Sequence, residues 1–267
     1  MIVQTLCTSF LLDLYTGRVN VSSTSPYEYR LALYSAMANL GESTSAYTAL
    51  NEIVDAGYTV TGKRVIPTMM HVAEEIAYFS FNDIRWNLNN TIARGGLIYN
   101  FTLDSAVCVL DFGSDKLAGS PYVIKFPPST PETALIRLQS TCDVFSFNML
   151  QGLEDFSGSS PYSYKIALYT GAATLNNHTL QYTPLNEILD VNYTVGGGTL
   201  APSAPFNIGR TVYTSFADVS WGGYLSASLA LIYNATTNAA VGVLDLGGVP
   251  SFRTIHFPPM LLSTTIM

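Results

Sequence analysis

An internal repeat constrains this chain more than any other feature of its sequence. The segment Pro26–Tyr34 (PYEYRLALY) returns as Pro161–Tyr169 (PYSYKIALY), at an offset of 161 − 26 = 135 residues. The same offset relates Cys7 to Cys142, Phe10 to Phe145, Leu50–Ile53 to Leu185–Ile188, Tyr58–Val60 to Tyr193–Val195, Pro67 to Pro202 and Trp86 to Trp221. Chance does not maintain one offset over so many dissimilar residue types, so we interpret the chain as a duplicated domain.

The boundary between the two copies is marked by a recurring terminal motif. Phe126–Pro128 closes the first copy and Phe257–Pro259 closes the second. The segment Ser129–Glu132, which follows the first motif, has the composition of a turn-prone linker. We therefore predict two domains, residues 1–130 (the first copy) and residues 131–267 (the second copy).

Most apolar segments indicate strands. Tyr78–Phe81 and Thr211–Phe216 alternate with a period of two, as half-buried strands do. Further strands are predicted, because of their β-branched and apolar content, at Tyr29–Tyr34, Ala106–Leu110, Tyr122–Phe126, Ala240–Leu244 and Arg253–Phe257. The pattern predicts an all-β chain of two tandem β-sandwich domains with roughly seven or eight strands each, and it leaves immunoglobulin-like and jelly-roll topologies open.

Each domain is also expected to contain one or two short helical turns. Phe145–Leu153 has apolar residues at helical spacing, and the matching segment Phe10–Tyr15 is predicted to form a shorter turn. Thr183–Glu187 begins with a Thr suited to an N-cap and has Pro at the next position, which favours one turn of helix.

The composition favours permanent contacts with other subunits. Charged residues make up 12% of the chain, about half the usual quarter, so neutral polar side chains must cover much of the surface. Surfaces of this kind suit subunit contacts better than free diffusion. The net charge is −7, and the 12 Lys and Arg residues form no basic run. Nucleic acid is therefore not an expected partner.

The sequence gives no sign of a membrane segment or a leader. No apolar stretch reaches the length of about 18 residues that a transmembrane helix needs. The first basic residue is Arg18, and Asp13 interrupts the apolar N-terminal run, which disfavours a signal peptide. The three cysteines, Cys7, Cys108 and Cys142, are interpreted as buried reduced thiols. We expect folding in a reducing host cytoplasm, without membrane partners.

No catalytic, cofactor-binding or metal-binding site is predicted. The three histidines, His71, His178 and His256, do not recur at repeat-matched positions. Nucleophilic catalysis requires a nucleophile beside an oriented base, and structural metal sites require ligand spacings that this chain lacks. The repeated carboxylates are the best candidates for chemistry: Glu52 and Glu187, Asp83 and Asp218, Asp111 and Asp245. Their positions beside turns and strand ends favour a structural role as acceptors of backbone N–H groups.

Aromatic residues raise the alternative of glycan binding. The chain has 17 tyrosines, and rings that stack on sugars are a common recognition device. However, Tyr29, Tyr34, Tyr58 and Tyr99 recur in the second copy within strand-like segments, and tyrosine suits half-buried strands and interfaces. We therefore interpret them, together with Trp86 and Trp221, mainly as core residues.

Several segments resemble a widespread group of structural proteins of tailed bacteriophages. The resembling segments are Lys165–Leu175, Asn186–Glu187, Phe216–Trp221, Ala230–Asn234 and Val243–Asp245 in the second copy, and Ala93–Asn100 and Val109–Asp115 in the first. Members of this group usually hold a single copy and have about half this length, so the tandem form is a departure. The resemblance implies a non-enzymatic virion component, and its motifs carry no catalytic residues to transfer.

From the resemblance and the composition we expect a capsid-associated decoration or cement protein. Its partners would be other virion proteins and further copies of the chain, as a trimer or hexamer. Two fused copies would occupy two neighbouring environments, or would let three chains form a pseudo-sixfold ring. The alternatives are a neck, tail, baseplate or fibre-adaptor component, a glycan- or receptor-binding module, and a polysaccharide-degrading enzyme.

Overall fold

The computed structural model describes residues 1–73, 75–209, 211–247, 251–259 and 261–266. The protein is all-β, with several antiparallel sheets and two short helices. Up to residue 139 the elements are β1 (Thr5–Leu6), α1 (Thr8–Tyr15), β2 (Tyr29–Tyr34), β3 (Lys63–Val65), β4 (His71–Ala73), β5 (Ile76–Phe79), β6 (Ile84–Trp86), β7 (Thr91–Asn100), β8 (Ser105–Ala118), β9 (Tyr122–Ile124) and β10 (Ile136–Gln139). The remainder are α2 (Asp143–Gln151), β11 (Tyr164–Tyr169), β12 (Gly198–Leu200), β13 (Phe206–Ile208), β14 (Thr211–Thr214), β15 (Val219–Ser226), β16 (Leu229–Asn234), β17 (Ala239–Asp245), β18 (Ser251–Ile255) and β19 (Leu262–Ile266).

Equivalent sheets form in the two copies. The first copy has a five-stranded sheet in the order β1-β8-β7-β2-β3, and the second has a four-stranded sheet in the order β12-β11-β16-β17. Strands β2, β3, β7 and β8 thus have the same neighbours as β11, β12, β16 and β17. The small sheets β6-β9 and β15-β18 also correspond to each other. Segments that share the repeated sequence therefore adopt the same local structure.

A six-stranded sheet crosses from one copy to the other, in the order β13-β14-β19-β10-β5-β4. Strand β10 places Ile136 opposite Phe79 of β5, and β19 places Leu262 opposite Thr214 of β14. At the repeat offset β4 and β5 correspond to β13 and β14, and β10 and β19 each follow a closing Phe-Pro-Pro motif. Since β10 and β19 also pair antiparallel at the centre of the sheet, equivalent strands occur in the same order when the sheet is read from either edge. Such an arrangement has an approximate twofold axis perpendicular to the sheet between its two central strands. The division after residue 130 stays a prediction.

The helices strengthen this connection because each contacts strands of the other copy. Helix α1 contacts β13 and β14, α2 contacts β4 and β5, and the two helices contact each other. The rings of Tyr15, Phe145 and Phe156 meet edge to face, with centroid separations of 5.8 to 6.4 Å. One cluster of buried apolar residues includes side chains from both copies. The copies therefore share a core. Neither helix in the described part of the chain has the length and apolar character needed to cross a membrane.

The predicted helical segments have different outcomes. The helix predicted at Phe145–Leu153 is confirmed as α2, which ends at Gly152 in the left-handed conformation (φ 69°), a common helix terminator. Its counterpart α1 is a full helix rather than a single turn. The helical turn predicted at Thr183–Glu187 is wrong. The Glu187 N–H donates to the Pro184 carbonyl at 3.2 Å, and Asn186 has a positive φ of 62°, which makes this segment a β-turn.

Burial also differs from expectation in one strand. The alternating pattern predicts a half-buried strand at Tyr78–Phe81, but all four residues of β5 are buried, and so are Ser80 and Phe81. Ala77 and Phe79 belong to the main core, whereas Ile76 and Tyr78 are covered by Ala134 in a smaller cluster. The segment that follows the linker therefore covers the face that the alternating pattern assigns to solvent.

The cysteines are buried, as the sequence predicts. Cys7, Cys108 and Cys142 are free thiols in the core. Burial raises the pKa of the Cys7 and Cys142 thiols to about 12, so both stay protonated at neutral pH. A protonated buried thiol is a poor nucleophile.

Candidate functional site

Two repeat-matched loops display aliphatic side chains to solvent. The first loop, residues 48–62, is the last part of the connection from β2 to β3, and the second loop, residues 183–197, is the last part of the connection from β11 to β12. The matched exposed side chains are Leu50 and Leu185, Val54 and Leu189, and Val60 and Val195. Val54 is 84% exposed and Leu189 is 87% exposed. Isolated exposed apolar residues are ordinary, but here three positions recur in both copies.

A buried glutamate holds the first loop. Glu52 is a buried residue whose Oε1 accepts hydrogen bonds from the Tyr58 hydroxyl at 2.6 Å and the Thr61 N–H at 3.0 Å. Its Oε2 accepts from the Tyr47 hydroxyl at 2.5 Å. The Tyr58 hydroxyl in turn accepts from the Leu33 N–H at 2.9 Å, within β2. Both carboxylate oxygens are therefore satisfied, and the loop is tied to the sheet.

The second loop repeats this network. Glu187 accepts from the Tyr193 hydroxyl, from the Gly196 N–H at 2.8 Å and from the Tyr182 hydroxyl at 2.7 Å. The Tyr193 hydroxyl accepts from the Leu168 N–H at 2.9 Å. Burial, followed by the hydrogen bond to Glu187, raises the pKa of Tyr193, so the phenol stays protonated and can donate. A fully satisfied buried network is rigid, and each loop therefore presents its aliphatic side chains in a fixed geometry.

The other repeated carboxylates bind backbone N–H groups of their own copy. Asp83 and Asp218 accept from the N–H groups of the closing segments, at Phe126 and Phe257, with distances of 3.0 and 2.9 Å. These contacts fasten the ends of the small sheets β6-β9 and β15-β18.

Asp111 lies within β8, where the pairing with β7 shifts register, and Asp245 is the last residue of β17. Asp111 accepts from the Gly113 N–H and Asp245 from the Gly247 N–H, both at 2.8 Å. Arg94 also pairs with Asp111. The backbone N–H of Gly113, followed by Arg94, keeps the pKa of Asp111 below its usual value. These partners are structural, because they fix the backbone around each carboxylate.

The histidines lie in three unrelated environments. The Nδ1 atom of His178 lies 2.7 Å from an Asp143 carboxylate oxygen, and that of His256 lies 2.6 Å from Asp218. His71 stacks on Tyr78 at 5.6 Å. Among the residues that the structure describes, no group of three or more His, Cys, Asp or Glu side chains could hold a metal ion.

The repeat-matched aromatic rings are mostly part of the core. Tyr29, Tyr34, Tyr58 and Tyr99 are buried, and so are their counterparts in the second copy. Trp86 is buried, whereas Trp221 is partly buried and packs edge to face on Phe252 at 6.1 Å. Buried rings offer no face on which a sugar can stack. This set of residues therefore does not form a glycan-binding platform.

The loops, rather than the carboxylates alone, are the feature that sequence reasoning missed. The sequence shows the repeat at Leu50–Ile53, but the only residue of this segment that it offers as a candidate for chemistry is the Glu. The sequence does contain a signal for these loops, namely a repeated Leu directly before an Asn, which is a turn-forming residue. In the structure Asn51 has a φ of 63°, and the turn directs the neighbouring side chains outward. Comparison with family models, with curated proteins and with solved structures finds no match.

Proposed function

We propose that this chain is a non-enzymatic structural component of a tailed-phage particle, and specifically a capsid-associated decoration or cement protein. The observation that carries the proposal is the pair of rigid loops with matched exposed aliphatic side chains. Burying a Leu or Val side chain contributes roughly 1.5–3 kcal/mol. Several such residues on fixed loops suffice for a protein–protein contact, and the fixed loops lose little entropy on binding.

The tandem arrangement supports binding to a repetitive surface. Two matched loops on one chain can engage two equivalent positions of a lattice, and the second contact then forms at a high effective concentration. The two copies are related by an approximate twofold axis, whereas a pseudo-sixfold ring of three chains requires a one-sixth turn between copies. The geometry therefore favours two neighbouring binding environments over that ring.

The charge supports a position away from packaged DNA. The net charge of −7 repels a polyanion. A neck, tail or baseplate position fits the same surface chemistry, and the number of copies per particle separates it from a decoration role. A glycan-binding role has less support because the repeat-matched rings are buried.

Quantitative mass spectrometry of purified particles, relative to the major capsid protein, tests the assignment. We expect hundreds of copies per particle. A few to a few dozen copies would move the protein to the neck, tail or baseplate, and absence from the particle would overturn the structural role.

Loop variants test whether the loops make the contact. The double variant Leu50→Asp with Leu185→Asp should lower the amount of protein retained on particles at least ~tenfold. The reason is that it removes two aliphatic side chains that the proposed contact buries. Leu117→Asp is the matched control, since Leu117 is also an exposed Leu but lies on β8. Equal retention of both variants would contradict a role for the loops.

A further inference from the structure

The two loops differ in the charges around them. Beside the first loop lies a cavity of about 680 Å³, and Lys63, Arg85 and Trp86 are among the residues that line it. The Lys63 ammonium donates to the Arg85 carbonyl oxygen at 2.9 Å, which places two cationic residues next to each other. Both residues are exposed. Among the described residues, neither side chain forms an ion pair with a carboxylate.

The second copy lacks these cations. At the offset of the repeat, Gly198 replaces Lys63 and Ser220 replaces Arg85. In the second copy the Arg253 guanidinium donates to the carbonyl oxygen of Gly222 at 3.2 Å and lies over the Tyr224 ring, so the cavity lined by both Lys63 and Arg85 is a feature of the first copy. Its volume lies within the range of about 300–1,000 Å³ that is typical of binding pockets, and its charge suits a carboxylate.

The second loop carries the complementary feature. At its tip, Asp190 lies between Leu189 and Val191, and Val191 is 97% exposed. The Oδ1 atom of Asp190 accepts from the backbone and side-chain nitrogens of Asn192, at 2.8 and 3.1 Å. Among the described contacts, none reaches its Oδ2.

The matching aspartate of the first copy is fully engaged. Asp55 accepts from the Gly57 N–H through Oδ1 at 2.7 Å and from the Asn89 N–H through Oδ2 at 2.8 Å. The chain thus has a cationic cavity without an acid in one copy and an exposed acid between two aliphatic side chains in the other.

We propose that the cavity beside the first loop binds the Asp190 tip of a second copy of this chain, with Leu189 and Val191 buried in the contact. The inference rests on the proposed function, because it assigns one of the loop contacts proposed there to self-association. The contact joins the second copy of one chain to the first copy of the next. A head-to-tail contact of this type produces a ring when it closes and a filament when it does not.

The contact should be weak and sensitive to salt. Exposed ion pairs contribute little and are screened at high ionic strength, so the aliphatic side chains supply most of the affinity and the ion pairs supply its dependence on salt. Association should therefore be detectable at high protein concentration in low salt, and it should decline as salt is added.

Charge-reversal variants test the proposal by sedimentation velocity at several protein concentrations. Asp190→Lys alone, and Lys63→Glu with Arg85→Glu, should each raise the apparent Kd of self-association about tenfold or more. An equimolar mixture of the two variants should restore association, because each cavity then meets a tip of opposite charge. The matched control is Asp115→Lys, which reverses an exposed acid on β8 and should leave association unchanged.

Three outcomes would overturn the inference. The first is a wild-type chain that stays monomeric at the highest protein concentration in low salt. The second is an Asp115→Lys variant whose self-association is weakened as much as that of Asp190→Lys. The third is a mixture that does not recover association although circular dichroism shows that both variants are folded. None of these outcomes changes the expected number of copies per particle, which tests the proposed function separately.

Discussion

At the scale of single residues, the most unusual group is Glu154. It is completely buried, and it accepts hydrogen bonds from Asn148 at 3.2 Å, Tyr164 at 3.0 Å and Asn234 at 3.1 Å. Burial raises its pKa to about 7, although all three partners act in the opposite direction. The carboxyl therefore titrates near neutral pH inside the core.

This pKa makes stability depend on pH. Between pH 4.5, the usual pKa of a Glu, and about pH 7, the pKa of the buried Glu154, the folded protein holds a proton that the unfolded chain has released. The contribution of Glu154 therefore declines as pH rises through this window, in total by about 3 kcal/mol. Denaturant unfolding at pH 5 and pH 8 should show that Glu154→Gln stabilises the protein more at pH 8 than at pH 5. A difference between variant and wild type that is the same at both pH values would contradict the assignment.

The two loop glutamates should matter equally. Replacing Glu52 or Glu187 by Gln turns an acceptor-only group into one that presents an NH₂ to tyrosine hydroxyls, and we expect each change to cost about 2 kcal/mol or more. Urea denaturation measures this loss, and hydrogen exchange should show faster exchange in the affected loop. Glu132→Gln is the control, because Glu132 is exposed in the linker. Little change in stability in either loop variant would show that the networks do not hold the loops.

At the scale of elements, β10 joins the two copies, because it pairs with β5 of the first copy on one side and with β19 of the second copy on the other. Leu138 lies opposite both Ala77 of β5 and Ile266 of β19, so β10 is a central strand. A proline there loses a hydrogen bond of the ladder. Leu138→Pro should therefore destabilise the protein by about 1–3 kcal/mol more than Leu138→Ala, which keeps the backbone N–H. Thermal unfolding of the two variants compares them, and equal midpoints would mean that this ladder contributes little.

The elements that the sequence predicts well are those with local signals. Tyr29–Tyr34 forms β2 with the predicted bounds, and α2 follows from its apolar spacing. The prediction of a helical turn at Thr183–Glu187 is wrong because a Thr-Pro start also fits a β-turn, and Asn186 accepts the left-handed conformation that this turn requires. The six-stranded sheet could not be predicted, because the pairing of β10 with β19 joins residues far apart in sequence. The exposure of Leu50 and Val54 likewise depends on tertiary structure.

At the scale of the whole molecule, a shared core predicts cooperative unfolding. The chain has two tryptophans, one in each copy, so Trp86→Phe and Trp221→Phe leave a fluorescent probe in the opposite copy. The probe in each variant should report the same unfolding midpoint as circular dichroism of that variant, because neither copy keeps a complete core alone. A fluorescence transition separated from the circular dichroism transition would show that the copies unfold independently.

The helix exchange across the central sheet has a consequence for assembly before any partner is met. If the two copies were separate chains, each would have to meet its partner by diffusion. The yield of folded protein would then depend on the concentration of the chains. Within one polypeptide the other copy is always present, and always in a one-to-one ratio. The halves are also free to differ from each other, as Lys63 and Gly198 do, so a nearly symmetric body can carry a polarity that a true homodimer could not.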